Sequence, residues 1–288
     1  MTDEALHLFD VLTWRLARAL SGLRVGGHRA RMRGAGDIFA DTAGFFSQPD
    51  LRRIDLRRSL TDPFANLVVR RFETRNDLTV HLLLDASASL GTGARSDRPG
   101  IARLLAYGIA QAAWRGRDRF AIDVLNGDDI AFSHGPSHSR ATISGLRTAL
   151  PHIAPAGHGV KGLTRCAAGL PDTRILVVLV SDFEYAPDEL RSLLSAVHPR
   201  PAWPIWLRDS GLEEPNGRFG ITETRDPETA RRRSELTTRR WAQTQSANAR
   251  RRRAETRGVF SEFGLRAVEI RDRIDVNALA VALGEAPL

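Results

Sequence analysis

Two apolar runs in this chain end on an acid, and one of those acids opens a ladder of oxygen-bearing side chains. Val80-His81-Leu82-Leu83-Leu84 closes on Asp85, and Ile175 to Ser181 closes on Asp182. Beyond Asp85 the chain reads Ala86-Ser87-Ala88-Ser89. Alternate residues of a tight loop can aim the oxygens of Asp85, Ser87 and Ser89 at one point. Carboxylates, hydroxyls and water are hard ligands, which Mg²⁺ takes octahedrally at about 2.1 Å. The same residues have a plainer use. Ser87 and Ser89 can cap the helix that follows while Asp85 closes the loop. Residue types alone leave both readings open, together with a degenerate site that keeps the side chains and holds no metal.

The elements that must position these groups follow from periodicity. Val80–Asp85 and Arg174–Ser181 are near-continuously apolar, as strands buried on both faces of a parallel sheet are. Further strands are predicted at Asn66–Phe72, Phe120–Leu125, Ile130–Ser133, Trp203–Leu207 and Leu265–Ile270. Helices are predicted at about Pro99–Trp114, Ser139–Leu150, Leu163–Leu170 and Pro187–Val197, the last with proline at its start, where a missing N–H costs little. A first helix runs to about Leu20, capped by Thr2 or Asp3, and a last one over Val276–Leu283. Residues 21–60 read as loop with short elements, residues 209–226 as a polar excursion, and Pro227 to about Phe263 as one long, Arg-dense helix. Strands alternating with helices predict a doubly wound, mostly parallel α/β sheet with an N-terminal extension and a long C-terminal helix. In such sheets ligands bind beyond the carboxyl ends of the strands, which puts Asp85 and Asp182 on one rim.

Asp85-Ala86-Ser87-Ala88-Ser89 resembles the metal-ion-dependent adhesion site of von Willebrand factor A domains. That pattern continues with a threonine before a helix and an aspartate after a later strand. Gly162-Leu163-Thr164-Arg165-Cys166-Ala167-Ala168-Gly169-Leu170 is similar to the threonine segment, although Leu163 and Cys166 depart from it. Leu179-Val180-Ser181-Asp182-Phe183 is similar to the segment around the later aspartate. The resemblance implies that Asp85, Ser87, Ser89, Thr164 and Asp182 hold one Mg²⁺, directly or through water. It also implies that a carboxylate from a partner fills the open position.

The N-terminal region resembles a bacterial family encoded beside MoxR-type AAA+ ATPases. The residues that carry this are Gly34-Ala35-Gly36-Asp37-Ile38-Phe39, Arg52-Arg53-Ile54-Asp55-Leu56-Arg57-Arg58-Ser59 and Val68-Val69-Arg70-Arg71-Phe72-Glu73, and with the later motifs the match spans about Gly34 to Leu283. Arg-Arg-Ile-Asp-Leu-Arg-Arg-Ser-Leu-x-Asp-Pro-Phe is similar to a branch that accompanies methanol dehydrogenase gene clusters. On this resemblance residues 1–75 form an extension. Residues 76–288 form a von Willebrand factor A-like domain with an insertion at about 209–262. The implied role is a non-enzymatic adaptor for the ATPase, acting on a client such as methanol dehydrogenase. Arg52, Arg53, Asp55, Arg57 and Arg58 are the candidate docking face. Their other use is a solvated loop braced by internal Arg–Asp pairs.

Composition sets the remaining bounds. The 288 residues are 42% hydrophobic and 26% charged, a balance that excludes disorder throughout. One cysteine, Cys166, excludes an internal disulfide and points to a reduced, cytoplasmic setting. No apolar run reaches the ~18 residues that span a bilayer. The start, with Asp3, Glu4 and helical spacing of Leu6, Phe9, Leu12, Leu16 and Leu20, does not read as a secretory signal.

Lys+Arg is 42 against Asp+Glu 34, and Lys161 is the only lysine. The arginine runs at 231–233, 239–240 and 250–253 make an Arg-rich nucleic-acid binder the alternative function. Trp241 is their one interleaved aromatic, which argues against base stacking and favours a protein partner. A phosphate loop at Gly157–Thr164 is rejected because Lys161 precedes the glycine. Pro136 separates His134 from His138, against a helical metal pair. His81 reads as a satisfied core or edge side chain and Cys166 as a buried structural thiol. A metal-dependent hydrolase lacks a recognisable general base beside Asp85.

Overall fold

A computed structural model describes residues 38–47, 51–64, 66–73, 78–172, 174–216, 219–225 and 232–275. The helices predicted before Leu20 and over Val276–Leu283, and Gly34 to Asp37, lie outside them. The described residues fall into two compact units, one within Arg24–Asp77 and one from Leu78 onward.

In the first unit, β1 (Ile38–Gly44) pairs antiparallel with β2 (Val68–Glu73). Sequence periodicity missed β1, which lies in the stretch read as loop. A short helix, α1 (Leu56–Thr61), is capped by Asp55. The Asp55 carboxylate accepts from the Arg58 amide at 3.2 Å and from Arg70 Nε at 2.8 Å. The Ser59 hydroxyl donates to the Asp55 carbonyl and accepts from the Val68 amide, both at 2.8 Å. The turn and the hairpin are thus stitched through one buried acid.

The second unit is built on a six-stranded sheet. In chain order its strands are β3 (Thr79–Asp85), β4 (Arg119–Asn126), β5 (Asp129–Ser137), β6 (Ile175–Ser181), β7 (Ala202–Arg208) and β10 (Val268–Arg271). Their spatial order is β10-β7-β6-β3-β4-β5, parallel except for β5 at one edge. A hairpin, β8 (Gly220–Arg225) with β9 (Arg232–Thr237), forms a separate sheet.

Strand alternation divides the core in two. Leu82, Leu84, Val178, Val180, Ile205 and Leu207 join α2 (Arg98–Arg115) and α3 (Ala141–Ala149). Leu83, Val177, Leu179 and Trp206 join α4 (Lys161–Ala168), α5 (Pro187–Val197) and the end of α7 (Arg239–Glu262). Both faces of the strands are therefore covered, as their unbroken apolar runs require. Each fully buried aliphatic side chain contributes about 1.5–3 kcal/mol.

Strand β5 runs on to Ser137 and β10 starts only at Val268, and two larger differences from the sequence reading lie between β7 and α7. The helix predicted from Pro227 begins only at Arg239, because Arg232–Thr237 is strand β9 and Thr238 caps the helix by accepting from the Trp241 amide at 3.1 Å. Part of the polar excursion is ordered as α6 (Ser210–Glu213) and β8. Strands β8 and β9 are short and polar, and pairing across their hairpin outweighs their weak local periodicity, while α6 is started by the Asp209 cap.

Candidate metal centre

The connection from β3 goes through α2 to β4 on one side, while β6 lies on the other side of β3 and leads to β7. The strand order reverses between β3 and β6. That is the topological switch point, where open α/β sheets leave a crevice at their carboxyl ends. Leu84 pairs with Val180 across it. Asp85 and Asp182 therefore flank the crevice, each 1% exposed.

The loop after Asp85 is folded by its own polar groups. Asp85 Oδ1 accepts from the Ser87 amide at 2.8 Å. Its Oδ2 accepts from the Ser181 hydroxyl at 2.6 Å and from the Tyr185 phenol. A carboxylate has about four lone-pair sites, so one remains, on the oxygen shared with the Ser87 amide. Ser87 and Ser89 hydroxyls stand 3.1 Å apart. Neighbouring ligands of an octahedral Mg²⁺ are about 3.0 Å apart, given bonds of about 2.1 Å.

Asp182 sits on a strained turn. Phe183, the next residue, has φ +46°, a left-handed conformation that a bulky side chain rarely takes. Its ring is fixed edge-on against Phe260 at 5.1 Å and Trp206 at 6.5 Å, and its amide donates to Ser181 Oγ at 2.9 Å. Packing thus holds the backbone kink that turns Asp182 into the crevice. Burial, then the nearby Asp85 and Glu184 carboxylates, push the Asp182 carboxyl up to about 7, against the Arg98 guanidinium and the Ser89 hydroxyl. Burial and the same two aspartates hold the Tyr185 phenol well above its ordinary range, so it is a hydrogen-bond donor.

Four groups at this rim were not singled out from the sequence. Arg98 Nη1 donates to Asp182 Oδ2 at 3.1 Å, and its Nη2 donates to the Ser89 carbonyl at 2.6 Å and to the Thr92 carbonyl. Ser181 and Tyr185 hold Asp85. Asp209, directly after β7, takes the amides of Ala94, Arg95 and Ser96 on Oδ2 at 2.8–3.0 Å and those of Gly211 and Leu212 on Oδ1. Burial alone would raise its pKa, but those backbone donors bring it below the ordinary carboxylate range. Asp209 had a visible signal. It is a third acid at a strand end, within the stretch read as polar excursion. Arg98 had none, since its partner lies 84 residues away.

The predicted ligands are thus gathered unequally. Asp85, Ser87, Ser89 and Asp182 share one rim. Thr164 lies on α4, whose Leu163 packs with Leu83 of β3, and its hydroxyl donates to the Val160 carbonyl of its own helix at 3.0 Å. Two acids and two hydroxyls suit a hard cation such as Mg²⁺. Among the described residues, no group of three or more His, Cys, Asp and Glu side chains is placed to hold a metal ion. This donor set is of a different kind, since half of it is hydroxyl.

Elsewhere, Asp55 and Arg58 of the predicted docking face are used inside their own unit, Arg58 donating to Thr42 Oγ1 at 2.9 Å. Arg52 and Arg57 are exposed and Arg53 is half-buried. His81 Nε2 meets Asp123 Oδ2 at 2.8 Å, which satisfies it as a strand side chain. Cys166 is half-buried, and burial first of all pushes its thiol up, away from the reactive thiolate. Within the last arginine run, Arg253 pairs with Glu269, as does Arg257 one turn further on, and Arg251 lies 3.9 Å from Glu255. Among the described residues, no helix is long and apolar enough to cross a membrane.

Sheet and rim define a mostly parallel α/β protein with an acid–hydroxyl cluster at its switch point. The chain belongs to the family described as protein of unknown function DUF58, whose match spans residues 48–256. It is 54% identical over 104 residues to an "Uncharacterized protein in moxR 3'region" of Paracoccus denitrificans, a match covering 36% of this chain and 99% of that protein. Two solved structures are similar to it, each over 72% of this chain and each with a TM-score of 0.40. One is the conserved hypothetical protein BatB from Bacteroides thetaiotaomicron, at 11% identity and 95% of that chain. The other is an aerotolerance-related membrane protein from Bacteroides fragilis NCTC 9343 with multiple mutations to serines, at 16% identity and 97% of that chain.

Proposed function

We propose that this protein is a von Willebrand factor A-like, Mg²⁺-dependent adaptor that works with a MoxR-type AAA+ ATPase and is not itself an enzyme. The observation that carries the reading is the meeting of Asp85, Ser87, Ser89 and Asp182 at the switch point. Asp85, Ser87, Ser89 and Asp182 would hold the cation, directly or through water, and Thr164 would join them only if its hydroxyl gave up the Val160 carbonyl. The bound cation supplies a Lewis-acidic position that a carboxylate of the client protein occupies. The relative encoded in a moxR 3' region supports the choice of ATPase. Resemblance of the Arg52–Phe64 segment to the methanol dehydrogenase branch makes that enzyme the first client to examine.

The docking face is the turn that carries Arg52 and Arg57. Leu51, Leu56, Leu60 and Phe64 beside them are 69–87% exposed, an apolar fraction that suits protein contact. Arg-run contacts to Glu269 leave less cationic surface for nucleic acid, so a protein partner is favoured.

Calorimetric Mg²⁺ titration of the wild type and Asp182→Ala tests the centre. Saturable uptake by the wild type alone is expected, and equal uptake by both proteins overturns it. Co-purification with the ATPase from the native cell, with and without a chelator, tests the adaptor role.

A further inference from the structure

The exposed apolar side chains of this protein are unevenly spread. Ten large hydrophobic side chains are exposed among the described residues, and six of them, Phe46, Leu51, Leu56, Leu60, Phe64 and Leu67, belong to the first unit. Burial there is slight. Val69 is the unit's one buried hydrophobic side chain among the residues whose burial is described. Asp55, also buried, is taken up by the Arg58 amide and Arg70. A lone two-stranded hairpin is marginal in water, and gains stability from a further layer with an apolar face. Scattered exposed leucines are ordinary on a protein surface, but a concentration of them marks a site of contact.

The charges beside these side chains narrow what covers them. Between Leu51 and Phe64 stand Arg52, Arg53, Arg57 and Arg58 against Asp55 and Asp62, and Asp55 is paired with Arg70. The segment is therefore cationic. A second copy of this chain would set these arginines against their own kind, which opposes association. A bilayer is entered by the continuous apolar face of an amphipathic helix. Here the side chains leave a single 3-10 turn (Leu51–Arg53), the six-residue α1 and the loop after it. Only Leu56 and Leu60, four apart, share a side of α1. An irregular apolar surface with a cationic rim suits a protein whose rim is acidic.

We propose that Leu51, Leu56, Leu60 and Phe64 form a docking surface for a protein whose apolar side chains are framed by carboxylates, and that this partner supplies the layer the first unit lacks. That the partner is the MoxR-type ATPase rests on the function proposed above. The chemistry of the surface stands without it.

The experiment titrates the full chain into two dye-labelled amphipathic helical peptides and reads fluorescence anisotropy. Both carry the same leucine pattern, one with glutamate and the other with lysine at the polar positions. The glutamate peptide is expected to bind and the lysine peptide not. Leu56→Ser/Leu60→Ser is expected to weaken binding about a hundredfold, the worth of two leucines taken from water. Arg57→Glu is expected to weaken it about fivefold, more at low salt than at high. All three side chains are exposed, so both variants keep the wild-type melting temperature. Hydrogen exchange of the β1 and β2 amides is expected to slow in the bound state. Equal binding of the two peptides, no binding of the glutamate peptide, or binding unchanged in the leucine variant overturns the proposal. So does binding to phosphatidylglycerol vesicles in place of peptide, or a dimer that the leucine variant abolishes. Exchange that binding leaves unchanged overturns completion of the unit by its partner. Glutamate-peptide binding without capture of the ATPase removes the ATPase reading alone. Capture of the ATPase that neither the glutamate peptide nor the leucine variant affects removes this surface alone.

Discussion

Arg98 and Asp182 form an ion pair at 3.1 Å with both side chains out of solvent, 2% and 1% exposed. Arg98 opens α2 and Asp182 follows β6, so the pair ties the helix after the Asp85 loop to the strand across the switch point. It also sets a fixed cation against two buried carboxylates that would otherwise repel each other. The charge of the rim is therefore partly compensated within the fold itself.

Removing that cation is the most direct challenge to the rim. Arg98→Met leaves Asp182 beside Asp85 with no counter-charge. The expected loss is about 3–5 kcal/mol, the usual cost of stranding one member of a buried pair. Urea unfolding measures it. Mg²⁺ is expected to restore part of the loss in the variant, and a loss below about 1 kcal/mol would show that the pair is not holding the rim.

Tyr185→Phe removes one of the two side-chain donors to Asp85 Oδ2 and keeps the ring contact with Phe183. Ser181 remains as a donor, so the expected cost is about 1.5–3 kcal/mol, that of a hydrogen bond to a charged group. Denaturant midpoints of the two proteins, taken without metal, give the comparison.

Asp209 makes a pH-dependent contribution. Its folded-state pKa lies below the unfolded value of about 3.9. The stability it adds is therefore in place above pH 4 and disappears as the pH falls through the folded pKa. Asp209→Asn is expected to be less stable than the wild type at pH 7 by about 1–3 kcal/mol. The gap narrows in acid. Thermal melts of both proteins from pH 7 to pH 3 follow it, and a gap that widens in acid contradicts the assignment.

Leu60→Asp probes the docking turn. Leu60 is 87% exposed, so the change should move stability by no more than about 0.5 kcal/mol. Capture of the MoxR-type ATPase is expected to be lost while Mg²⁺ uptake is kept. Wild-type capture by this variant places the docking face elsewhere.

How much of this could be read from the chain depends on the range of the interaction. Val80–Asp85 and Ile175–Ser181 declare themselves as buried strands, because a segment covered on both faces must be apolar throughout. An acid that breaks such a run marks the strand's end, and chain order then puts Asp85 and Asp182 on one rim. Asp209 obeys the same rule, but the polar residues after it hid the signal. Strand β1 and the true start of α7 were missed because cross-strand pairing, which local periodicity does not register, sets them.

What remained hidden is partnership at a distance. Nothing near Arg98 in the chain says that it will be buried against Asp182, nor that Ser181 and Tyr185 will both turn to Asp85. A buried charge is tolerated only where the fold brings a counter-charge, and that meeting exists only once β3 and β6 lie side by side. The same holds for the arginines of α7. Their number is plain in the chain, but which of them face Glu269 or water follows from how the helix is seated, since burial sets the worth of each charge.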